Sequence, residues 1–513
     1  MYRHSILMFL LLLAISVQSE LISERNSKNY HVSASGGNDE ADGLSEYTAW
    51  KSLKNLKNIS LEAGDSLLFQ RGESFYCVLE LSAHGTSKSP VVVSSYGKGE
   101  KPIIVAPDSS LYTILIRNSS FLSVQNLEIV NKGTTRIPNR TGVKVLCEEY
   151  GASKCIKLQK LDIRDVNGSL VKKDGGGSGI LIENKWKEVE SFYDSLLIED
   201  CTIRRCERNA MIWHAPWSRN QKWVPSINTV VRRNLIEEVP GDGIVPIGCD
   251  GAIIEYNLMR NCPATLPDTE AAAGIWPWSC DNTVIQFNEV SDHKAPWDAQ
   301  GFDADYNCQN TTIRYNYSHD NDGGFLLVCD AGTEMSSKDN IGNIGTKAYG
   351  NLSVNDAIRT RMTRSGIFSP TIHIAGPVKN TSITNNILFV GEKPDNFEVD
   401  KSIINSDNWG GYADNTLFKE NVFYVMEPST IKLSKSTNNQ FEGNYYLGTF
   451  INLPDDSKGR NRSLFFSSYT KRDEKRIIGL LLKDTVIGDG AASLKTIDKD
   501  KIESFFYKMK IKQ

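Results

Sequence analysis

The sequence predicts an all-β solenoid, a parallel β-helix, on two observations: an imperfect repeat centred on asparagine, and a second strand signature that follows each copy. The segments TVVRRNLIEEV (229–239), AIIEYNLMRNC (252–262), TVIQFNEVSDH (283–293) and TTIRYNYSHDN (311–321) each alternate β-branched with polar residues around an Asn. Asn234, Asn257, Asn288 and Asn316 follow one another at steps of 23, 31 and 28 residues. Fainter copies place Asn126, Asn351, Asn386, Asn421 and Asn444 in the same slot. Alternation with a period of two is a strand signal, and the repeats sustain no helical period. Repeats of this length indicate a solenoid.

The second signature is a Gly followed by a short apolar strand: GILIE (179–183), GIVPIG (243–248), GIWPWS (274–279), GFDADYN (301–307) and GFLLVC (324–329). Two or three strands per turn with no helix between them suit a β-helix, whose coils bury their apolar faces against their neighbours. A recurring Asn fits a turn twice over. It tolerates left-handed backbone angles, and its amide can bond the Asn one coil away. Counted from the Gly, Cys249 and Cys280 fall at offset six, Cys308 at seven and Cys329 at five. This column is expected to be stacked buried thiols lining the core.

Residues 1–19 read as a secretory signal peptide, with Arg3 and His4 ahead of the apolar run ILMFLLLLAI; that run is too short to anchor in a bilayer. Export to a secreted or periplasmic location is therefore expected. Residues 20–115 are expected to form an N-terminal cap and first coils, 116–450 the main β-helix, and the more highly charged 451–513 a C-terminal cap. The 58 basic and 62 acidic residues give a net charge of −4, which leaves no basic field for nucleic acid or anionic lipid. With 39 Gly against 17 Pro, collagen and mucin stalks are out. Ten Cys do not make a disulfide scaffold; Cys147 with Cys155, and Cys201 with Cys206, are the local pairs that could bridge. A monomer with no membrane span is expected.

The opening YHVSASGGNDEADGLSEYTAWKSLKNL, then AGDSLLFQRGESF and SSYGKGEKPII, resembles the entry region of secreted right-handed parallel β-helix proteins of the pectin-lyase-like superfamily. The resemblance covers roughly residues 30–450. It implies a right-handed coil and a carbohydrate-active protein, whether hydrolase or lyase. Polygalacturonase-like families place Asp residues on adjacent coils of one outward sheet, with a His nearby. Their Gly-His-Gly and Arg-Ile-Lys motifs are missing here, so their substrate does not carry over.

On the Gly-anchored strands, odd offsets share one face and even offsets the other. Odd offsets include Ile180, Ile182, Met211, Trp213, Ile244 and Phe302, and are expected to be core. Even offsets include Trp276 and Trp278 on one strand and Asp303 and Asp305 on the next, with His214 a few coils away. Burying two unpaired carboxylates in an apolar core is too costly, so the even face is expected to point outward, Leu326 and Val328 with it. Two carboxyls on one strand face raise one another's pKa, which suits an acid and a base, while indoles offer apolar faces to sugar rings.

Asp303 and Asp305 are accordingly the expected catalytic pair, with Asp298 in reserve. Trp276, Trp278, His214, His373, Arg361 and Asp242 are the expected substrate contacts. His373 faces outward in TIHIAG if Ile372 and Ile374 point in. Glu183 reads as a distal subsite residue, Asp320 and Asp322 as turn residues, His319 as structural, and Arg359, Arg361 and Arg364 as a basic loop. The expected function is glycoside hydrolysis of a complex polysaccharide, without cofactor. One alternative is a lyase in which the Asp cluster holds Ca²⁺ and a Lys or Arg abstracts a proton; against it, the nearest outward Lys on the strands is Lys144, far up the stack. The other alternative is a non-catalytic glycan-binding β-helix.

Overall fold

The computed structural model describes residues 26–220, 222–330, 339–363, 366–392 and 402–462. The leader expected at 1–19, Arg364 and most of the expected C-terminal cap lie outside them. The chain winds through three stacked sheets. Sixteen strands form the first and fourteen the second; the third comprises two six-stranded blocks, linked by single bridges Ile244 to Ile275 and Ile275 to Phe302. Strand pairs are parallel throughout. Each asparagine repeat supplies one strand to the first sheet and one to the second, and the Gly signatures supply the third, GIWPWS through isolated bridges alone. Coiling begins at Asn29–Val32 and continues through Arg460–Arg462, into the region expected to be cap. Among the described residues no helix is long and apolar enough to cross a membrane.

The corner between the first and second sheets shows why the repeat is built on Asn. The Asn257 Oδ1 accepts from both the backbone N–H and the side-chain amide of Asn234. The same pair of bonds recurs through Asn288, Asn316, Asn351, Asn386, Asn421 and Asn444, and Asp456 closes the series. These amides are buried and fully engaged, as buried polar groups must be. One expectation needs correcting: the left-handed residue is the one before each ladder Asn, such as Arg233, Tyr256, Phe287 and Tyr315 at φ 54–57°. Asn126 is such a corner residue, at φ 58°, and Leu127 fills its ladder slot.

The interior is apolar as expected: Ile180, Ile182, Met211, Trp213, Ile244 and Phe302 are all fully buried. Two strand-starting glycines are needed for close approach, since a side chain at Gly274 would meet the Gly301 carbonyl and one at Gly301 the Ser318 side chain. The thiol column is real for Cys249, Cys280 and Cys308, whose ladder runs along the next corner. Cys329 does not belong to it. All ten cysteines are free, which removes the Cys147–Cys155 and Cys201–Cys206 bridges. The register also slips at GGFLLVC, where Phe302 pairs with Leu326, so Phe325 takes the slot held elsewhere by Gly. A one-residue slip reverses the faces: Leu326 and Val328 point into the core, while Leu327 and Cys329 point out.

Candidate active site

On the outward face of the third sheet, registers carry one column through His214, Ile247, Trp278, Asp305, Cys329, Ala375 and Asp407. A parallel column carries Trp276, Asp303, Leu327 and His373. Asp303 and Asp305 therefore share the outward face, as period two requires, but they do not share an environment. Asp303 is 4% exposed and its Oδ1 has no partner. Its carboxyl is held well above the usual range by burial, then by Asp305 and Asp298. Asp305 is half-buried. Its Oδ1 accepts the Tyr306 N–H at 2.6 Å and the Cys329 thiol at 3.2 Å. Burial pushes it up to about 6, against those two donors and Lys172.

Asp298 reaches the same face from a corner rather than a Gly strand. Asp298 and Ala299 are both left-handed, at φ 57° and 62°, a conformation disfavoured for residues with a Cβ. Arg359 holds the corner. Its guanidinium, 2% exposed, donates to the carbonyls of Ala295, Pro296 and Asp298. No described residue hydrogen-bonds the Asp298 carboxyl. Burial raises its pKa, opposed by His373, Arg359 and Lys172. Asp298 lines a cleft of about 390 Å³ with Gln300, Arg359, His373, Asp407 and Trp409. His373 faces outward as expected. Its ring meets Phe368 and Trp409 edge-on at 5.1 and 5.5 Å, and its Nε2 lies 3.1 Å from the Asp407 carboxylate.

A second cleft of about 340 Å³ opens toward the N-terminal coils, lined by Glu183, His214, Trp217 and Trp278 among others. Trp217 and Trp278 stack at 5.3 Å and 21°. Asp305 lies on the register between the two clefts. His214 is exposed in this wall. Glu183 is there too; burial opposes its ionisation, but Lys144 at 2.5 Å and Lys185 at 3.3 Å keep its pKa lowered.

Three expected contacts are placed differently. Trp276 is only 6% exposed, so it is no open platform; its indole N–H donates to Asp242 at 3.0 Å. Asp242 is fully buried and cannot touch a substrate. Burial opposes its charge, but Arg208, Lys172 and the Ala273 N–H keep its pKa below the ordinary value. Arg361 pairs with Asp268 and is not among the residues lining the cleft around Asp298. His319 bonds Asp320 and Glu289, and Asp322 pairs with Lys294, both structural roles.

Residues not singled out in the sequence also converge here. Asp407 and Trp409 could have been found by carrying the TIHIAG register onto SIINSD, since Ile372 pairs with Ile404. Lys172 had no strand pattern to reveal it. It is exposed, on a loop whose backbone is pinned by Glu270 at 2.8 Å, with its ammonium 5.2 Å from the Trp276 ring centroid. A lysine therefore acts electrostatically on the acidic cluster from a connection, while on the strands themselves Lys144 stays the outward lysine, as expected. The donor set of Asp303, Asp305 and Cys329, all within 4.8 Å of one another, does not fit calcium. Calcium takes six to eight oxygens, whereas Cys329 is a thiol whose pKa burial and the neighbouring carboxylates hold well above the usual range.

The family model described as "Right handed beta helix region" matches residues 179–358. The fold is a right-handed parallel β-helix. A curated lacto-N-biosidase of Bifidobacterium longum subsp. longum is 25% identical over 489 aligned residues, covering 77% of this chain and 28% of the relative. The chain thus spans little more than a quarter of that protein's length. The crystal structure of native GH136 lacto-N-biosidase from Eubacterium ramulus superposes with a TM-score of 0.60 at 22% identity, covering 85% of this chain and 68% of that one. Its selenomethionine derivative gives 0.57 at 22% identity, covering 88% and 70%.

Proposed function

We propose that the chain is an exported glycoside hydrolase acting at the junction of the two clefts, with Asp298 as proton donor and Asp305 as the anion. The observation that carries this reading is the contrast between the two carboxyls. Both carboxyls are half-buried and both are raised by burial, but Asp305 accepts two hydrogen bonds that favour its charged form, whereas no described residue bonds the Asp298 carboxyl. Environments that differ in this way divide acid from base or nucleophile. Aromatic walls on both sides suit sugar rings. His373, beside Asp407, and Gln300 supply polar groups to bind hydroxyls in the first cleft.

For the substrate, the similarity to the Bifidobacterium longum lacto-N-biosidase supports a glycan bearing a lacto-N-biose unit. The test is release of the phenol from a chromogenic lacto-N-bioside by the purified full chain. Asp298→Asn and Asp305→Asn should each lower kcat by about 10³-fold or more with the fold intact. An unsaturated product from a uronate polymer, abolished by EDTA, would instead establish the lyase. Full turnover by Asp305→Asn would overturn the assignment.

A further inference from the structure

Asp305 and Cys329 occupy successive rungs of one outward column, about 4.8 Å apart along the solenoid. A side chain on the rung beyond a carboxylate supports its charge only if it reaches the carboxylate and can donate. Cys329 does both: its Sγ lies 3.2 Å from Asp305 Oδ1. The thiol is 2% exposed and packs with Leu327 and Ala375, with Tyr306 and Trp409 at the edge. That setting and the nearby carboxylates keep the sulfur protonated, so it is a donor and not a competing anion. The Tyr306 N–H donates to the same oxygen. Among the described residues none hydrogen-bonds Oδ2.

We infer that Cys329 is a positioning residue for Asp305: its S–H fixes the carboxylate rotamer through Oδ1, supports the charged form, and leaves Oδ2 for the substrate. This rests on Asp305 being the anion of the proposed hydrolase. The other groups acting on Asp305 are Asp298 from the corner, Asp303 on its own strand and Lys172 from the loop; the Cys308 thiol lies near it in the adjoining corner.

The experiment is the pH profile of kcat/KM on the chromogenic lacto-N-bioside for the full chain and its variants. A hydrogen bond to the charged form lowers a carboxyl pKa, so removing the donor raises it. Cys329→Ala, and the better-filling Cys329→Val, should move the acidic limb up by about half to one pH unit, the size expected for a weak bond to a charged group. The basic limb should stay. Cys329→Ser keeps a donor and should leave the acidic limb in place or lower it. An unmoved limb in a folded Ala or Val variant, or an equal rise in Ser, overturns the inference while leaving the hydrolase reading intact. Activity surviving in Asp305→Asn overturns the hydrolase assignment itself, so the two failures are distinguishable.

Discussion

A guanidinium buried at Arg359 is tolerated because Nη1 and Nη2 are both taken up by main-chain carbonyls. Those carbonyls belong to the corner that carries Asp298, so under the proposed assignment the arginine would act on the reaction through backbone placement. Arg359→Lys keeps the charge but loses the planar fork. It should lower kcat by about 10- to 100-fold, the scale of a small misplacement of a catalytic group, with a smaller change in KM. A KM effect alone would mean that Arg359 binds substrate and does not position Asp298. Asp303 invites the opposite expectation. Burial and two neighbouring carboxylates hold its pKa well above the usual range, which favours the neutral form, and a neutral amide of the same shape should replace it. Asp303→Asn should retain activity within about 10-fold, whereas Asp305→Asn should not. Equal losses in kinetic assays of the two would show the acid pair to be wrongly drawn. The period of two put Asp303 and Asp305 on the outward face, but it could not distinguish a buried outward carboxyl from a half-buried one. That depends on covering loops, whose contacts join residues distant in sequence, such as Arg359 with Asp298, 61 positions apart.

The asparagine ladder was legible in its spacing because its amides must repeat once per coil. Its neighbour's left-handed turn was not, since that slot accepts Arg, Tyr, Phe, Glu and Gly alike. The ladder's ends and middle should differ in cost. Asn316→Leu would strip the acceptor from both the Asn288 N–H and the Asn288 side-chain amide. Asn234→Leu would strip the acceptor from a single donor, the Cys201 N–H on the preceding coil, where Leu127, Leu161 and Cys201 already fill the slot. The mid-ladder variant should lose about 2–4 kcal/mol and the end variant roughly half that, by chemical denaturation. The second sheet carries a separate titrating element at His319. Burial works against its charge, but Asp320 and Glu289 raise its pKa to about 9. A pKa raised on folding gives stability that is complete below about 6.5 and lost as pH climbs through 9. Melting temperature should therefore fall between pH 7 and 9.5 more steeply for the native chain than for His319→Asn.

At the scale of the whole molecule, a solenoid brings together only what stacking brings together, and the two clefts lie along one axis with Asp305 between them. Asp298, His373 and Asp407 line the cleft toward the C-terminal coils, so that cleft is assigned the sugar at the reacting carbon. The cleft with stacked Trp217 and Trp278 holds no carboxyl of the catalytic pair and is assigned units farther along the chain. Losing an indole from the first cleft should then harm every substrate, and losing one from the second only long ones. Trp409→Ala should cut kcat/KM by about 10-fold or more on a chromogenic disaccharide and on a longer oligosaccharide alike. Trp278→Ala should leave the chromogenic disaccharide within about threefold and raise KM for the oligosaccharide by about 10-fold, an aromatic contact being worth about 1 kcal/mol or somewhat more. The repeat pattern revealed Trp278 because it lies on a Gly-anchored strand, but not Trp409, which follows a strand without that glycine. Steady-state kinetics with the two substrates decide the matter. Equal losses by Trp278→Ala on both would place the reacting sugar against the tryptophan pair and reverse the direction in which the substrate lies along the solenoid.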